Sequence, residues 1–256
     1  MNRKRRPLLP TMALVVLLVS QSGLNTVSAQ APGQAPGGPP RQSLPPIPIA
    51  SDTTHTLTRY FVPASPAKKT PNAKGFIQRW LVLEPVKKDI ARNSILTDAY
   101  LRTTFSADNF SPDYNTVPKN GTTVKVGNQE LKWYALDSKT FNVNLYHFTY
   151  AIEKPRYGVL VWLVTVVDSP VEMKNVRMAA GSNSASMWWL NGKEILTLSG
   201  DRDMIADNVA SQRLTLKKGK NIIRGAVING PGMANFCVRF LDEKGAPIKN
   251  LNISYQ

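Results

Sequence analysis

Residues 158–167 read GVLVWLVTVV, ten positions with one polar member, Thr165. A strand with one wet face alternates apolar and polar residues, so this run is too apolar to be half exposed. It fits the middle of a β-sandwich, buried on both faces. A buried helix could be equally apolar, but the valines and the leading Gly158 favour a strand. Working outward, TVKV (123–126) and LKWYAL (131–136) flank Gly127-Asn128, a tight turn between two short strands. NVNLYHFTY (142–150) alternates, with Val143 and Leu145 on one side and Asn142 and Asn144 on the other, and reads as a further strand. VRMAAG (176–181), ASMWWLNGKEIL (185–196), RLTLKKGKNIIRGAVING (213–230) and NFCVRFLDEKGAPI (235–248) are strand and turn units. Their turns fall at Asn191-Gly192, Lys218-Gly219, Asn229-Gly230 and Lys244-Gly245. Helical signal is confined to KKDIARNSILTDAYLRTTF (87–105), where Ile90, Ile95, Leu96 and Leu101 predict one or two short turns. Many short strands at regular spacing define an all-β fold, a jelly-roll β-sandwich.

The residues before that sandwich have other work. Arg3-Lys4-Arg5-Arg6 is a positive cluster, LLPTMALVVLLVS (8–20) an apolar stretch, and Val27-Ser28-Ala29 supplies small residues for cleavage. This is the pattern of a secretory signal peptide over residues 1–29, cleaved after Ala29. The apolar run falls short of the ~20 residues a bilayer span needs, which leaves an uncleaved anchor as the weaker alternative. The mature product is expected to be secreted or periplasmic, with no stable membrane insertion. APGQAPGGPPRQSLPPIPI (31–49) is too rich in Pro and Gly to bury an apolar core, so residues 30–71 are expected to form a largely disordered Pro/Gly/Thr-rich linker. Residues 72–256 then make one domain, and no internal repeat interrupts them.

The chain carries 32 Lys+Arg against 17 Asp+Glu. Four of the cations lie in residues 3–6, leaving 28 against 17, or +11, in the mature chain. The lysines are scattered (Lys87-Lys88, Lys119, Lys125, Lys217-Lys218-Lys220), as on a solvated surface, and no nucleic-acid motif accompanies them. Nucleic acid is therefore not an expected partner. Cys237 is the single cysteine, set in the apolar NFCVRFL, so no intrachain disulfide forms and the thiol is read as buried.

No catalytic set emerges. A serine esterase needs a nucleophile elbow with a histidine in reach, and no G-x-S-x-G is present. The two histidines are His55, in the linker, and His147, read as a structurally satisfied strand residue. Oxidative copper chemistry would use a histidine at the mature N-terminus, where Gln30 stands, and no His/Cys/Asp spacing suits zinc. Carboxylate pairs for glycoside hydrolysis are not distinguishable by sequence. Glu84, at a strand end, is read as a cap for backbone donors, and Asp201-Arg202-Asp203 with Asp207 as a solvated ion-pair cluster.

Sugars present apolar C–H faces and outward hydroxyls, so their sites combine aromatic platforms with amide, carboxylate or guanidinium rims. Trp133-Tyr134 and Trp188-Trp189 are adjacent aromatic pairs, and on a strand each pair projects one ring per face. One of Trp188 and Trp189 is expected in the core, with the other available to a ligand. Tyr114 and Tyr157 lie in Pro/Asn/Gly-rich connections. Asn183, Asn191, Arg202, Asp203 and Asn229 are the polar groups nearest the same turns. The expected ligand-binding set is thus Trp133, Tyr134, Trp188, Trp189, Asn183, Asn191, Arg202 and Asp203.

WLVLEPV (80–86), GSNSASMWWLNGKEIL (181–196) and LTLKKGKNIIRGAVINGPGMANFCVRFLDEKGAPI (214–248), in that order, resemble galactose-binding-like jelly-roll domains. More narrowly, they are similar to the non-catalytic N-terminal region of bacterial acetylxylan esterases. That resemblance implies carbohydrate binding or an accessory role beside a carbohydrate-active enzyme, on a plant-type polysaccharide or oligosaccharide such as xylan. Relatives with a calcium loop carry aspartates where this chain has Gly181-Ser182-Asn183-Ser184, and without a carboxylate a hard cation is held weakly. No metal and no cofactor are expected. The leading expectation is an exported non-catalytic carbohydrate-binding module. The alternatives are an acetylxylan or polysaccharide esterase, or part of one, and a protein-docking module of the cell envelope.

Overall fold

The computed structural model describes residues 56–256. The signal peptide expected over 1–29, the linker as far as residue 55, and His55 lie outside the described residues. The strands are β1 (Phe61–Pro63), β2 (Arg79–Leu83), β3 (Val86–Lys87), β4 (Thr123–Val126), β5 (Gln129–Ser138), β6 (Val143–Asn144), β7 (Val159–Ser169) and β8 (Met173–Asn183). They continue with β9 (Ala185–Leu190), β10 (Lys193–Leu198), β11 (Val209–Ala210), β12 (Leu214–Leu216), β13 (Gly219–Asn229), β14 (Asn235–Leu241) and β15 (Asn252–Ser254). Two helices interrupt them, α1 (Asp98–Ala107) and α2 (Leu145–Ala151). The larger sheet runs β1-β5-β2-β7-β13-β9-β10, with β3 and β15 also on β7 and β4 on β5. The smaller runs β11-β8-β14-β6, with β12 on β8. The pairing is antiparallel throughout, as in β7 with β13 and β8 with β14. The all-β sandwich expected from the sequence is what forms.

GVLVWLVTVV lies at the centre of the large sheet and is buried on both faces. Its odd positions Val159, Val161, Leu163 and Val167 enter the core between the sheets, with Trp80, Trp188, Phe236 and Phe240. Its even positions Leu160, Trp162 and Val164 enter a second core on the opposite face, under Leu101 and Phe105 of α1 and under Phe110. Two cores served by alternate residues explain why the run has no polar face. Each large side chain so buried contributes about 1.5–3 kcal/mol of transfer free energy. Between the sheets, Trp188 stands edge-on to Trp80 (centroids 5.8 Å) and tilted to Phe236 (5.4 Å). It packs over Gly225 of β13, where an added Cβ would meet Trp188 Cζ3 at 2.3 Å. Gly225→Ala is accordingly expected to cost about 1–3 kcal/mol by overpacking, read as a lower urea midpoint with an unchanged slope.

Three sequence expectations shift. Residues 142–150 are not a strand: β6 stops after two residues and Leu145–Ala151 is helical. Asn144 caps α2 by accepting from His147 N at 2.8 Å, and Leu145 and Phe148, three apart, reach the same core. Alternation and helical spacing coincide over so short a stretch. The stretch beginning at residue 87 holds more helix than expected, a 3-10 turn at Asn93–Ile95 and then α1, capped by Thr97 and running past residue 105 to Ala107. The domain also takes in residues placed in the linker. Leu57–Arg59 form a 3-10 turn, and β1 pairs with β5 while Phe61 enters the inter-sheet core. A three-residue strand with one apolar anchor leaves no periodicity to read.

Two buried arginines brace the architecture. Arg79 on β2 faces Asp137 on β5, both 2% exposed, through Nε to Oδ1 at 2.8 Å and Nη2 to Oδ2 at 2.9 Å. Tyr255 Oη donates to Asp137 Oδ1 at 2.8 Å, Lys69 Nζ lies 2.6 Å from Oδ2, and Arg79 Nη1 donates to the Ala67 carbonyl. Arg224 on β13 is fully buried, its guanidinium 3.8 Å from the Phe110 ring centroid and 4.7 Å from that of Trp162. It donates to the carbonyls of Ser111 and Asp113 and to the Asn109 side chain. Burial pushes its pKa down to about 10, so at neutral pH it remains a cation holding loop 109–113 onto the sheet.

Candidate cleft at one end of the sandwich

The last residue of β8, Asn183, and the last of β13, Asn229, meet at one end of the sandwich with loops 199–208 and 230–234. Together they line an open cleft of about 390 Å³, to which Asn93, Asp201, Arg202, Asp203 and Met233 also contribute. Loop 199–208 lies directly on β8 at Gly181, where a Cβ would stand 1.9 Å from the Ile205 carbonyl oxygen. A single amide ties both loops together. Asn93 Nδ2 donates to Asp201 Oδ1 and Asn93 Oδ1 accepts from Gly230 N, each at 2.8 Å. Asn183 Nδ2 donates to the Arg202 carbonyl at 3.1 Å, Ser184 Oγ to the Gly200 carbonyl at 3.0 Å, and Asn229 Nδ2 to the Gly232 carbonyl at 3.0 Å.

The cation of the cleft is fixed by neutral groups. Arg202 Nη1 donates to the Ser199 carbonyl at 3.3 Å and Nη2 to the Asn208 side chain, while its buried Nε has no partner among the described residues. The ion-pair cluster expected over 201–207 does not form as such, because Asp207 turns to Arg239, whose Nε donates to it at 2.9 Å. Asp201 and Asp203 remain exposed carboxylates, and Asp203 has no hydrogen bond or ion pair among the described residues. Met233 is 41% exposed on the rim. The cleft thus offers acceptors for hydroxyl groups beside an apolar thioether.

Of the residues proposed from sequence, Asn183, Arg202 and Asp203 converge here. The aromatic candidates do not. Trp188 is fully buried between the sheets, and Trp189 (7% exposed) packs on the other face against Trp162 at 5.8 Å and Tyr114 at 5.1 Å. Trp133, 1% exposed, packs edge-on to Phe110 at 4.8 Å. None of the three presents a face to a ligand, because both faces of the large sheet are covered. Tyr134 is partly buried against Phe148 and donates to Glu84 Oε1 at 3.3 Å; burial and that carboxylate raise its pKa. Asn191 bonds Asn221 and Ile222 N and sits on a separate groove of about 470 Å³, beside Lys193, Arg213 and Lys217. Sequence reasoning missed Asn93 and Met233, neither of which carries a local signal.

The groups read as structural prove so. Glu84 Oε2 accepts from Lys132 N at 3.3 Å. His147, though on a helix, is buried with Nε2 bonded to the Thr56 carbonyl at 2.9 Å. Cys237 is buried, and that burial pushes its thiol up to about 11. Among the described residues no helix is long and apolar enough to cross a membrane.

No family profile matches the sequence, and no curated protein does. Among solved structures, the PA14 domain of the antifreeze protein MpAFP is 10% identical, with a TM-score of 0.42 over 75% of this chain and 96% of that one. A PA14 sugar-binding domain from an RTX adhesin is 11% identical, at 0.38 over 72% of this chain and 100% of that one. A GH31 α-xylosidase from Xanthomonas citri is 9% identical, at 0.26 over 48% of this chain and 15% of that one. Likenesses at these scores bear on neither ligand nor mechanism.

Proposed function

We propose that this chain is an exported, non-catalytic carbohydrate-binding module whose ligand lies in the cleft of Asn183, Asp201, Asp203 and Met233. The observation that carries the reading is the convergence of two exposed carboxylates, strand-end amides and an exposed methionine on one concave end of a rigid sandwich. Carboxylates and amide carbonyls accept from sugar hydroxyls, and the methionine supplies an apolar surface for ring C–H groups. The order of motifs that resembles galactose-binding-like domains favours the same reading. It points further to a plant-type polysaccharide such as xylan, with a carbohydrate-active enzyme as the partner served.

The test is a glycan array with the purified chain, followed by calorimetry on the best oligosaccharide. Asp203→Ala is expected to weaken binding about tenfold or more, the loss of a charge-assisted hydrogen bond. Its thermal midpoint should stay within about 2 °C, since Asp203 is exposed and has no partner among the described residues. Retention of no glycan, or unchanged affinity in Asp203→Ala, overturns the assignment of this cleft.

A further inference from the structure

Beside the cleft, the same end of the sandwich carries an aromatic cluster. Tyr146 and Tyr150 sit one turn apart on α2, and Tyr157 follows in the connection to β7. Their rings surround one guanidinium: the Arg156 Cζ lies 5.5 Å from the Tyr146 centroid, 4.9 Å from Tyr150 and 6.0 Å from Tyr157. The Tyr146 and Tyr157 rings are 5.8 Å apart with their hydroxyls at 3.3 Å, and Arg156 Nη1 donates to Tyr146 Oη at 3.3 Å. Tyr157 is nevertheless 51% exposed. An aromatic side chain that is half in solvent yet held by a cation and a neighbouring hydroxyl is ordered before any ligand arrives, which lowers the entropy cost of binding.

The cluster is joined to the cleft through one loop. Gly158 N donates to the Gly230 carbonyl and Tyr146 N to the Ala234 carbonyl, both at 3.0 Å. Residues 231–233 between those anchors line the cleft, and Met233 on that stretch is itself exposed. Tyr157 precedes Gly158, which is bonded to Gly230, and Tyr146 is bonded to Ala234, so the cluster borders the loop that carries Met233.

We propose that Tyr157, positioned by Tyr146 and Arg156, is a second subsite of the carbohydrate site. There the apolar face of a further sugar ring stacks on the tyrosine, and the Tyr146 hydroxyl and Arg156 serve its hydroxyls. This rests on the cleft being the primary sugar site. The subsite takes a neutral pyranose of an extended chain and adds nothing for a ligand confined to the cleft.

Calorimetry with xylobiose and xylohexaose on the full chain separates the two. Tyr157→Ala is expected to weaken xylohexaose about three- to tenfold, the size of a lost aromatic stacking contact, and to leave xylobiose unchanged. Tyr157→Phe should keep the longer ligand, because the ring face remains. Asp203→Ala should weaken both ligands, and all variants should melt with the parent. Unchanged xylohexaose affinity in Tyr157→Ala, with Asp203→Ala still impaired, overturns the subsite and leaves the cleft standing. A parent chain that binds neither oligosaccharide overturns the xylan-binding cleft, and the subsite with it.

Discussion

Asp137→Ala is expected to lower stability by about 3–5 kcal/mol, because it leaves the Arg79 guanidinium buried without its carboxylate. Arg79 would keep the Ala67 carbonyl and a long contact to Ser65 Oγ at 3.5 Å, neither of which carries charge. Urea unfolding followed by tryptophan fluorescence reads the loss, and a change below about 1 kcal/mol would mean that water reaches the pair. The same group sets an acid limb. Burial by itself raises the Asp137 pKa, but hydrogen bonds from Arg79, Lys69 and Tyr255 outweigh it and hold the carboxyl below its ordinary 3.8. The unfolded chain therefore binds the proton more readily than the folded one. The contribution is full above the unfolded value and disappears as pH falls through the lower, folded one. In Asp137→Ala the fall of melting temperature below about pH 4 should be shallower than in the parent.

Trp188→Ala carries the other large effect, a loss of about 3–5 kcal/mol. The deletion opens a void above Gly225 and removes edge contacts to Trp80 and Phe236. It also removes the hydrogen bond that Ser186 Oγ accepts from Trp188 Nε1 at 2.9 Å, leaving that hydroxyl only its contact with Ser182 Oγ at 2.8 Å. Glycan affinity measured well below the melting temperature should remain, since the ring lies between the sheets and away from the cleft. A variant that loses binding while melting with the parent would contradict that placement.

The tryptophan pair shows how far the sequence could be read. Alternation correctly sends Trp188 and Trp189 to opposite faces, and GVLVWLVTVV announces a strand covered on both. What hides is the cover on the second face. Its contributors, Leu101, Phe105 and Phe110, come from a helix and a loop whose apolar residues follow no strand pattern. A ring that looked free for a ligand is thereby core. The polar lining of the candidate cleft was more legible, because Asn183, Arg202 and Asp203 sit beside strand ends and loops that the sequence marks. Asn93 was invisible, since its role depends on Asp201 and Gly230, which are far from it along the chain and close only once the sheets have stacked.

Strand β7 pairs with β2, β3, β13 and β15, and the last two are among the final strands of the chain to appear. A nascent or truncated chain ending before residue 219 would hold GVLVWLVTVV with a ladder edge unsatisfied. Such a segment, rich in β-branched residues and free of charge and proline, is a template for cross-β stacking with other chains. The C-terminal strands thus complete the ladder of β7, and a chain truncated before residue 219 is expected to aggregate where the full chain does not.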